Sequence, residues 1–81
     1  MSGTPTTVRV PIEGLDQLML AGINDANLVE LARVSNTRVA LRGDALTLTG
    51  DADAVMRGES IALGMVGMVR DGQPLTPDDV L

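Results

Sequence analysis

The order of apolar and polar residues along the chain predicts three short strands. Residues 8–12, VRVPI, alternate between apolar and polar side chains, which is typical of a strand, and Pro11 favours a sheet edge or a strand end. Residues 37–50, TRVALRGDALTLTG, predict a hairpin with a two-residue turn at Gly43 and Asp44. This turn places the apolar side chains of the hairpin together on one side of the sheet. The predicted pairs are Leu41 with Leu46 and Val39 with Leu48.

Two short helices are predicted between the first strand and the hairpin, in residues 14–34. The helical spacing of apolar residues is interrupted at Gly22, which is a suitable end for the first helix. Asn24 or Asp25 then offers a side-chain oxygen to the free amides of the second helix. The residues expected to face the core are Leu15, Leu18 and Met19 in the first helix and Leu28, Leu31 and Ala32 in the second.

A long helix of about five turns is predicted for residues 51–72. Asp51 or Asp53 is expected to cap its start, and Gly72 is expected to end it. Gly58 falls among the apolar residues of this helix, where it would allow a close approach to the sheet. The apolar face contains Ala54, Val55, Ile61, Ala62, Met65, Val66, Met68 and Val69.

These elements predict an α+β fold in which helices cover one face of a three-stranded antiparallel sheet. The expected organisation is a flexible start at residues 1–6, one domain at residues 7–72, and a linker at residues 73–81 that runs into a new helix. Thr76 and Pro77 are typical of such a helix start, and the sequence ends a few residues later. We therefore expect the chain to be one domain of a longer protein.

The composition argues against catalysis and against metal or cofactor binding by this chain. Histidine, cysteine and lysine are absent, so the usual zinc ligands, the Ser-His and Cys-His nucleophile pairs and the lysine of a phosphate-binding loop are all missing. The paired acids stand at predicted helix starts, where they are explained as caps. These pairs are Asp51 with Asp53 and Asp78 with Asp79. The chain is expected to be non-catalytic, with no metal or cofactor of its own.

The sequence also indicates a cytoplasmic protein. Its first residues lack the charged start and apolar run of a signal peptide, and no run of about 18 apolar residues predicts a membrane span. The absence of cysteine suits a reducing compartment. We therefore expect a soluble domain without a membrane partner.

Three arginines, Arg9, Arg38 and Arg42, are predicted to share the open face of the sheet. They are the candidate surface for a nucleic acid or a partner protein, because guanidinium groups bind phosphates and carboxylates. The chain as a whole is acidic, with a net charge of −5, and it has no aromatic residue on which a base could stack. Ordinary solvated charge on a sheet face is the alternative explanation of these arginines.

The order strand, helix, helix, hairpin, long helix resembles the type I KH arrangement. Residues 20–55, LAGINDANLVELARVSNTRVALRGDALTLTGDADAV, together with GQPLTPDDV after the long helix, resemble the amino-terminal domain of PhoH-like ATPases. The resemblance runs from Leu20 to Val80. It implies a cytoplasmic P-loop protein connected with RNA metabolism or phosphate starvation. In such a protein the nucleotide-binding core, outside this chain, would bind ATP and Mg.

The turn between the first two helices departs from a working KH loop. That loop has the pattern G-x-x-G, whose exposed backbone binds the phosphates of the nucleic acid. Here it reads Gly22, Ile23, Asn24 and Asp25, so a carboxylate replaces the second glycine. A negative charge at this position would repel phosphate. The resemblance therefore implies a KH-like shape with a degenerate loop.

Two functions follow from these observations. In the first, the chain is an accessory domain that docks on the ATPase core of its own protein or on neighbouring subunits. In the alternative, it binds RNA weakly through Arg9, Arg38 and Arg42 and guides the RNA to the ATPase. The net charge, the missing aromatic residues and Asp25 favour docking. A free-standing regulatory protein is a third interpretation, which would require the coding region to stop at Leu81.

Overall fold

A computed structural model describes residues 4–80 of the chain. Its elements follow the order strand, helix, helix, strand, strand, helix, helix. The strands are β1 (Thr6–Pro11), β2 (Arg38–Arg42) and β3 (Ala45–Gly50), and the helices are α1 (Gln17–Ala21), α2 (Ala26–Ser35), α3 (Ala52–Arg70) and α4 (Pro77–Val80). Residues 1–3 of the expected flexible start lie outside the described residues, and β1 already begins at Thr6.

The three strands form one antiparallel sheet in the order β1-β3-β2, so β3 is central and the other two strands are edges. The hairpin has the predicted register, with Leu41 opposite Leu46 and Val39 opposite Leu48. β1 continues the same alternation, because Val8 pairs with Leu48 and Val10 pairs with Leu46. One face of the sheet is therefore apolar across all three strands, and the twofold repeat of a strand places the arginines on the other face.

The helices cover the apolar face of the sheet, and the core lies between these two layers. α3 contacts β1 and β3, while α2 contacts β2 and α3. The fully buried apolar side chains come from both layers: Val10, Ile12, Leu20, Leu31, Leu46, Leu48 and Val55. The structure confirms an α+β fold with a three-stranded antiparallel sheet. Within residues 4–80, no helix is long and apolar enough to cross a membrane.

The first helix differs from its prediction in length and orientation. Asp16 caps it, because its carboxylate accepts hydrogen bonds from the amides of Leu18 and Met19 at 3.1 and 3.2 Å. The helix is only five residues long, and it buries Leu20 and Ala21. Leu18, predicted to face the core, is instead 76% exposed.

The predicted side-chain caps of the two longer helices do not form. A 3-10 turn at Ile23–Asp25 precedes α2, and within it Asn24 and Asp25 are left-handed, with φ of 56° and 59°. Asp25 makes no capping hydrogen bond to α2, because an N-cap side chain reaches the free amides from an extended backbone rather than a left-handed one. Asp51 occupies the N-cap position of α3, also without a hydrogen bond from its side chain, and Asp53 lies in the first turn.

α3 approaches the sheet closely at Gly58, as the sequence predicts. A Cβ atom at this position would lie 2.5 Å from Cδ2 of Leu48 and 3.1 Å from Cβ of Ser35. Those two side chains are buried, so the space beside Gly58 is closed on the sheet side. Gly72 adopts a left-handed conformation, with φ of 76°, and ends the helix as predicted.

Residues 73–80, expected to be a linker and the start of a further helix, fold back on the other helices. α4 contacts α2 and α3, and Val80 is only 3% exposed. The amide of Thr76 donates to Oδ2 of Asp79 at 3.0 Å, which fixes the start of α4. The carboxyl-terminal segment therefore contributes to the core of the described structure.

Candidate functional site

The open face of the sheet, which we name the arginine face, carries all three arginines that the sequence predicts there. It consists of three rows, each with one residue from β1, β3 and β2. The rows are Thr7, Thr49 and Arg38; Arg9, Thr47 and Ala40; and Pro11, Ala45 and Arg42. Arg9, Arg38 and Arg42 are exposed. The structure therefore brings the three arginines together on one surface.

The arginines are spread over the arginine face and do not form a tight cluster. Arg38 and Arg42 stand four residues apart on β2, a Cα separation of about 13 Å for a strand. Arg9 lies two strands away, about 10 Å across the sheet. Both strands that carry these arginines are edges, and the central strand carries none. Such spacing suits several anionic groups on an extended partner better than one small bound ion.

No carboxylate shares the arginine face. The three strands contain no Asp or Glu. All eleven acidic residues, together with the other three arginines, therefore lie outside the sheet. Within residues 4–80 the structure forms one ion pair, between Arg33 and Glu30 on α2. The guanidinium groups of the arginine face therefore keep their donors free for an external partner.

Threonine hydroxyls lie among the arginines of the arginine face. The hydroxyl oxygens of Thr7 and Thr49 are hydrogen-bonded to each other at 3.1 Å across β1 and β3. The Thr47 hydroxyl donates to the carbonyl of Ala40 at 3.3 Å. The face thus has charged donors on both edge strands, while its threonine hydroxyls are hydrogen-bonded within the sheet. The free guanidinium donors suit carboxylate or phosphate groups.

The ion pair on α2 accounts for the pKa shifts in the structure. A hydrogen bond from Arg33 holds the pKa of Glu30 below its usual range, and the same bond raises the pKa of Arg33. The two side chains are three residues apart on the helix surface, which is the spacing of an ordinary helix-stabilising pair. We explain this pair as a surface contact of α2 and not as part of a reactive site.

The turn at residues 22–25, which the sequence predicts to be a degenerate loop, lies beside the helices and not on the arginine face. Gly22 has a φ of 79°, and Asn24 and Asp25 are also left-handed. Asp25 is exposed and stands at a groove of about 440 Å³ between α2 and β2, which Val29 and Leu41 also line. The structure therefore separates the two sets of predicted site residues, with the arginines on the open face and the loop at the sheet edge.

A cleft among the helices has no counterpart in the sequence predictions. It has a volume of about 510 Å³, and mainly apolar side chains of α1, of the 22–25 turn and of residues 74–77 line it. Leu18 belongs to this cleft, although its helical spacing predicts a core position. The sequence signal for the exposed position of Leu18 is Asp16, a residue type that favours the N-cap. With Asp16 as the cap, α1 begins at Gln17 and Leu18 lies in its first turn. Across the part of the chain that the structure describes, no three His, Cys, Asp or Glu side chains are placed to hold a metal ion.

Comparison with known proteins connects the chain to PhoH-like proteins. It is 36% identical over 61 residues to the PhoH-like proteins of Mycobacterium bovis and of two strains of Mycobacterium tuberculosis. The aligned residues make up 75% of this chain and 17% of each relative, so the chain spans about a sixth of the length of these relatives. No protein-family model matches the chain, and no solved structure matches it significantly. The similarity supports a relation to PhoH-like proteins over three-quarters of the chain.

Proposed function

We propose that this chain is a non-catalytic accessory domain of a cytoplasmic PhoH-like ATPase, and that its arginine face docks on an acidic surface of the ATPase core. ATP and Mg would be bound by that core and not by this chain. We also propose that the fold is KH-like, of type I order, with residues 22–25 as a degenerate loop. The order of strands and helices supports this assignment.

The length of the relatives supports a role as one part of a larger protein. Most of each PhoH-like relative lies outside the aligned residues. Such a part is expected to contact the rest of its protein through an exposed surface. An open sheet face with charged donors at its edges provides such a surface.

The separation of charge is the observation that carries the docking proposal. The arginine face has three exposed guanidinium groups and no carboxylate, while the acids all lie on helices, turns and helix starts. Complementary charge at an interface fixes the orientation of two partners and raises their association rate. A partner surface rich in Asp and Glu fits the arginine face. The rest of the chain is acidic and would repel such a partner surface, so the partner would bind at the arginine face.

Single-stranded RNA is the second candidate, because the arginines of the same face also bind phosphates. Three features favour protein over RNA as the partner. The chain has no aromatic residue for base stacking, its net charge is −5, and Asp25 places an exposed carboxylate in the turn where a KH loop has glycine. RNA binding would therefore depend on the three arginines alone.

A binding experiment with charge-reversed variants tests the proposal. The 81-residue chain is titrated with the separately expressed ATPase core of its parent protein, at low and at physiological salt. Changing Arg38→Glu and Arg42→Glu together is expected to weaken this binding by at least about tenfold, since two interfacial charge pairs become repulsive. The matched control is Arg57→Glu with Arg70→Glu, which reverses two exposed arginines on α3 and makes the same change in net charge.

The control separates a specific face from a general effect of charge. Equal weakening by both double variants, or no binding of the core, would contradict docking through the arginine face. A parallel titration with fluorescent single-stranded RNA tests the second candidate. Saturable RNA binding that only the Arg38 and Arg42 variant abolishes, without binding of the core, would replace docking with RNA recognition.

A further inference from the structure

The cleft among the helices, which we name the α1–α4 cleft, is a distinct surface from the arginine face. Its walls come from α1, from the turn at residues 22–25, from the first residues of α2 and from the segment before α4. Apolar atoms make up most of the lining, contributed by side chains such as Leu18, Met19, Ile23, Ala26 and Leu75. A volume of about 510 Å³ is enough to hold one or two large apolar side chains of a partner.

Two large apolar side chains stand exposed at this cleft. Leu18 is 76% exposed and Ile23 is 83% exposed, and both line it. A single exposed apolar residue is ordinary on a protein surface, but exposed residues that adjoin an apolar cleft form a continuous patch. Such a patch with a polar rim is typical of an interaction site.

A buried amide at the cleft has an unused acceptor. Asn27 is fully buried and lines the cleft, and its Nδ2 donates to the carbonyls of Leu20 and Leu75 at 3.2 Å each. Its Oδ1 is the one buried side-chain oxygen or nitrogen of residues 4–80 without a hydrogen-bond partner. Most buried polar atoms in proteins have a partner, so this oxygen is ready to accept a hydrogen bond from a bound molecule.

The turn at residues 22–25 covers that acceptor. A Cβ atom at Gly22 would lie 2.8 Å from Nδ2 and 3.3 Å from Oδ1 of Asn27, so only glycine fits above the amide. Gly22, Asn24 and Asp25 all have positive φ, a region that glycine adopts freely and that Asn and Asp adopt more readily than other L residues. A shift of this turn would open the way from the cleft to Oδ1.

The rim of the cleft is acidic. Asp16 lines it, and the exposed Asp78 and Asp79 directly follow Pro77, which lines it too. No arginine lines the cleft. The charge complement of this rim is a segment with Lys or Arg residues beside its apolar side chains.

We propose that the α1–α4 cleft binds a basic amphipathic segment of a partner protein. An apolar side chain of the segment packs between Leu18 and Ile23, and its basic residues lie against Asp16, Asp78 and Asp79. A donor N–H of the segment bonds to Oδ1 of Asn27 after the turn shifts. This inference does not depend on the arginine face, because the two surfaces share no residue.

A synthetic peptide tests the cleft directly. The probe is a helical peptide of about 14 residues with leucines on one face and lysines flanking them, and its control replaces every lysine with glutamate. The lysine peptide is expected to bind the 81-residue chain, and Leu18→Ser or Ile23→Ser is expected to weaken it by about tenfold. The matched control variant is Met56→Ser, which removes a side chain that is 68% exposed on α3, outside the cleft.

The outcomes distinguish a specific cleft from general attraction to an acidic protein. Binding that only the cleft variants weaken, together with a shift of the Asn27 side-chain amide resonances in a ¹⁵N NMR spectrum, supports the proposal. Equal binding of the lysine and glutamate peptides, or equal loss in the Met56→Ser variant, overturns it. Because the ATPase core is absent from this experiment, its result is independent of docking through the arginine face.

Discussion

Gly58 sets the distance between the long helix and the sheet. The space where a side chain would begin is occupied by Leu48 and Ser35, both of which are buried. A Cβ atom at Gly64 or Gly67 on the same helix would have no neighbour within 4 Å. Glycine therefore has opposite effects on stability within one helix. At Gly58 it permits packing, and at the other two positions it only lowers helix propensity.

Alanine at Gly58 is expected to destabilise the protein, while alanine at Gly64 is expected to stabilise it. At Gly58 the new methyl group forces α3 away from Leu48, and this strain should exceed the gain in helix propensity by about 1 kcal/mol or more. Gly64→Ala meets open space and should gain about 0.5–1 kcal/mol. Urea denaturation of the two variants measures both values, and a stabilised Gly58→Ala would contradict the close approach.

Individual side chains are partly predictable from the sequence. Gly58 stands among apolar residues at helical spacing, and this alone indicates a close contact. Leu18 could not be placed by spacing, because a helix of five residues is too short for its apolar period to fix a face. The role of Asn27 depends on carbonyls seven and 48 residues away, and no local pattern indicates such a contact.

The two edge strands each carry charge on the open face. Arg9 and Pro11 lie on β1, Arg38 and Arg42 lie on β2, and the central β3 has only alanine and threonines there. Charged residues and proline on edge strands prevent the pairing of sheets from different molecules. The arginines can therefore protect the edges of the sheet in addition to any role in binding.

Replacing Arg38→Val and Arg42→Val together is expected to promote self-association of the chain through β2. The variant has an apolar free edge, which is a template for pairing with a second sheet. Thr47→Val with Thr49→Val is the matched control, because it adds two apolar side chains to the same face on the central strand. Sedimentation velocity across a range of concentrations compares the two variants. Similar sedimentation of both would show that the arginines do not protect the edge.

The predictability of each element follows from its length and its repeat. The hairpin register is predictable, because a one-residue shift in a strand would exchange its buried and exposed faces. α3 is predictable because its apolar repeat continues for 19 residues. The entry to α2 is not, because the left-handed backbone of Asn24 and Asp25 forms only in the context of the folded turn.

The packing of α4 bears on where the domain ends. Leu75 packs partly buried against the core, and its carbonyl accepts a hydrogen bond from the buried Asn27. Val80 is almost fully buried against the same core. The sequence shows the helix-start signals at Thr76 and Pro77, but such signals do not indicate what the helix packs against. The domain boundary at residue 72 remains a prediction, and the contribution of residues 73–80 to stability is what tests it.

Val80→Ala is expected to reduce the stability of the protein by about 1.5–2.5 kcal/mol, since it removes two buried methyl groups and leaves a cavity. Val29→Ala is the matched control, because Val29 is exposed on α2 and the same change there should have an effect below about 0.5 kcal/mol. Thermal denaturation measures the difference. Equal melting temperatures would support a domain that ends near residue 72 and a segment that packs without contributing stability.

The separation of charge between sheet and helices also affects the orientation in which the molecule adsorbs to a charged solid surface. The arginines of the sheet and the acids of the helices give the protein a permanent dipole that points from the helices to the sheet. At low salt, a positively charged support would hold the molecule by its helices and leave the sheet facing the solution. A negatively charged support would repel the molecule as a whole, because its net charge is −5. A positively charged resin or sensor surface therefore presents the sheet side of an immobilised molecule to its partners.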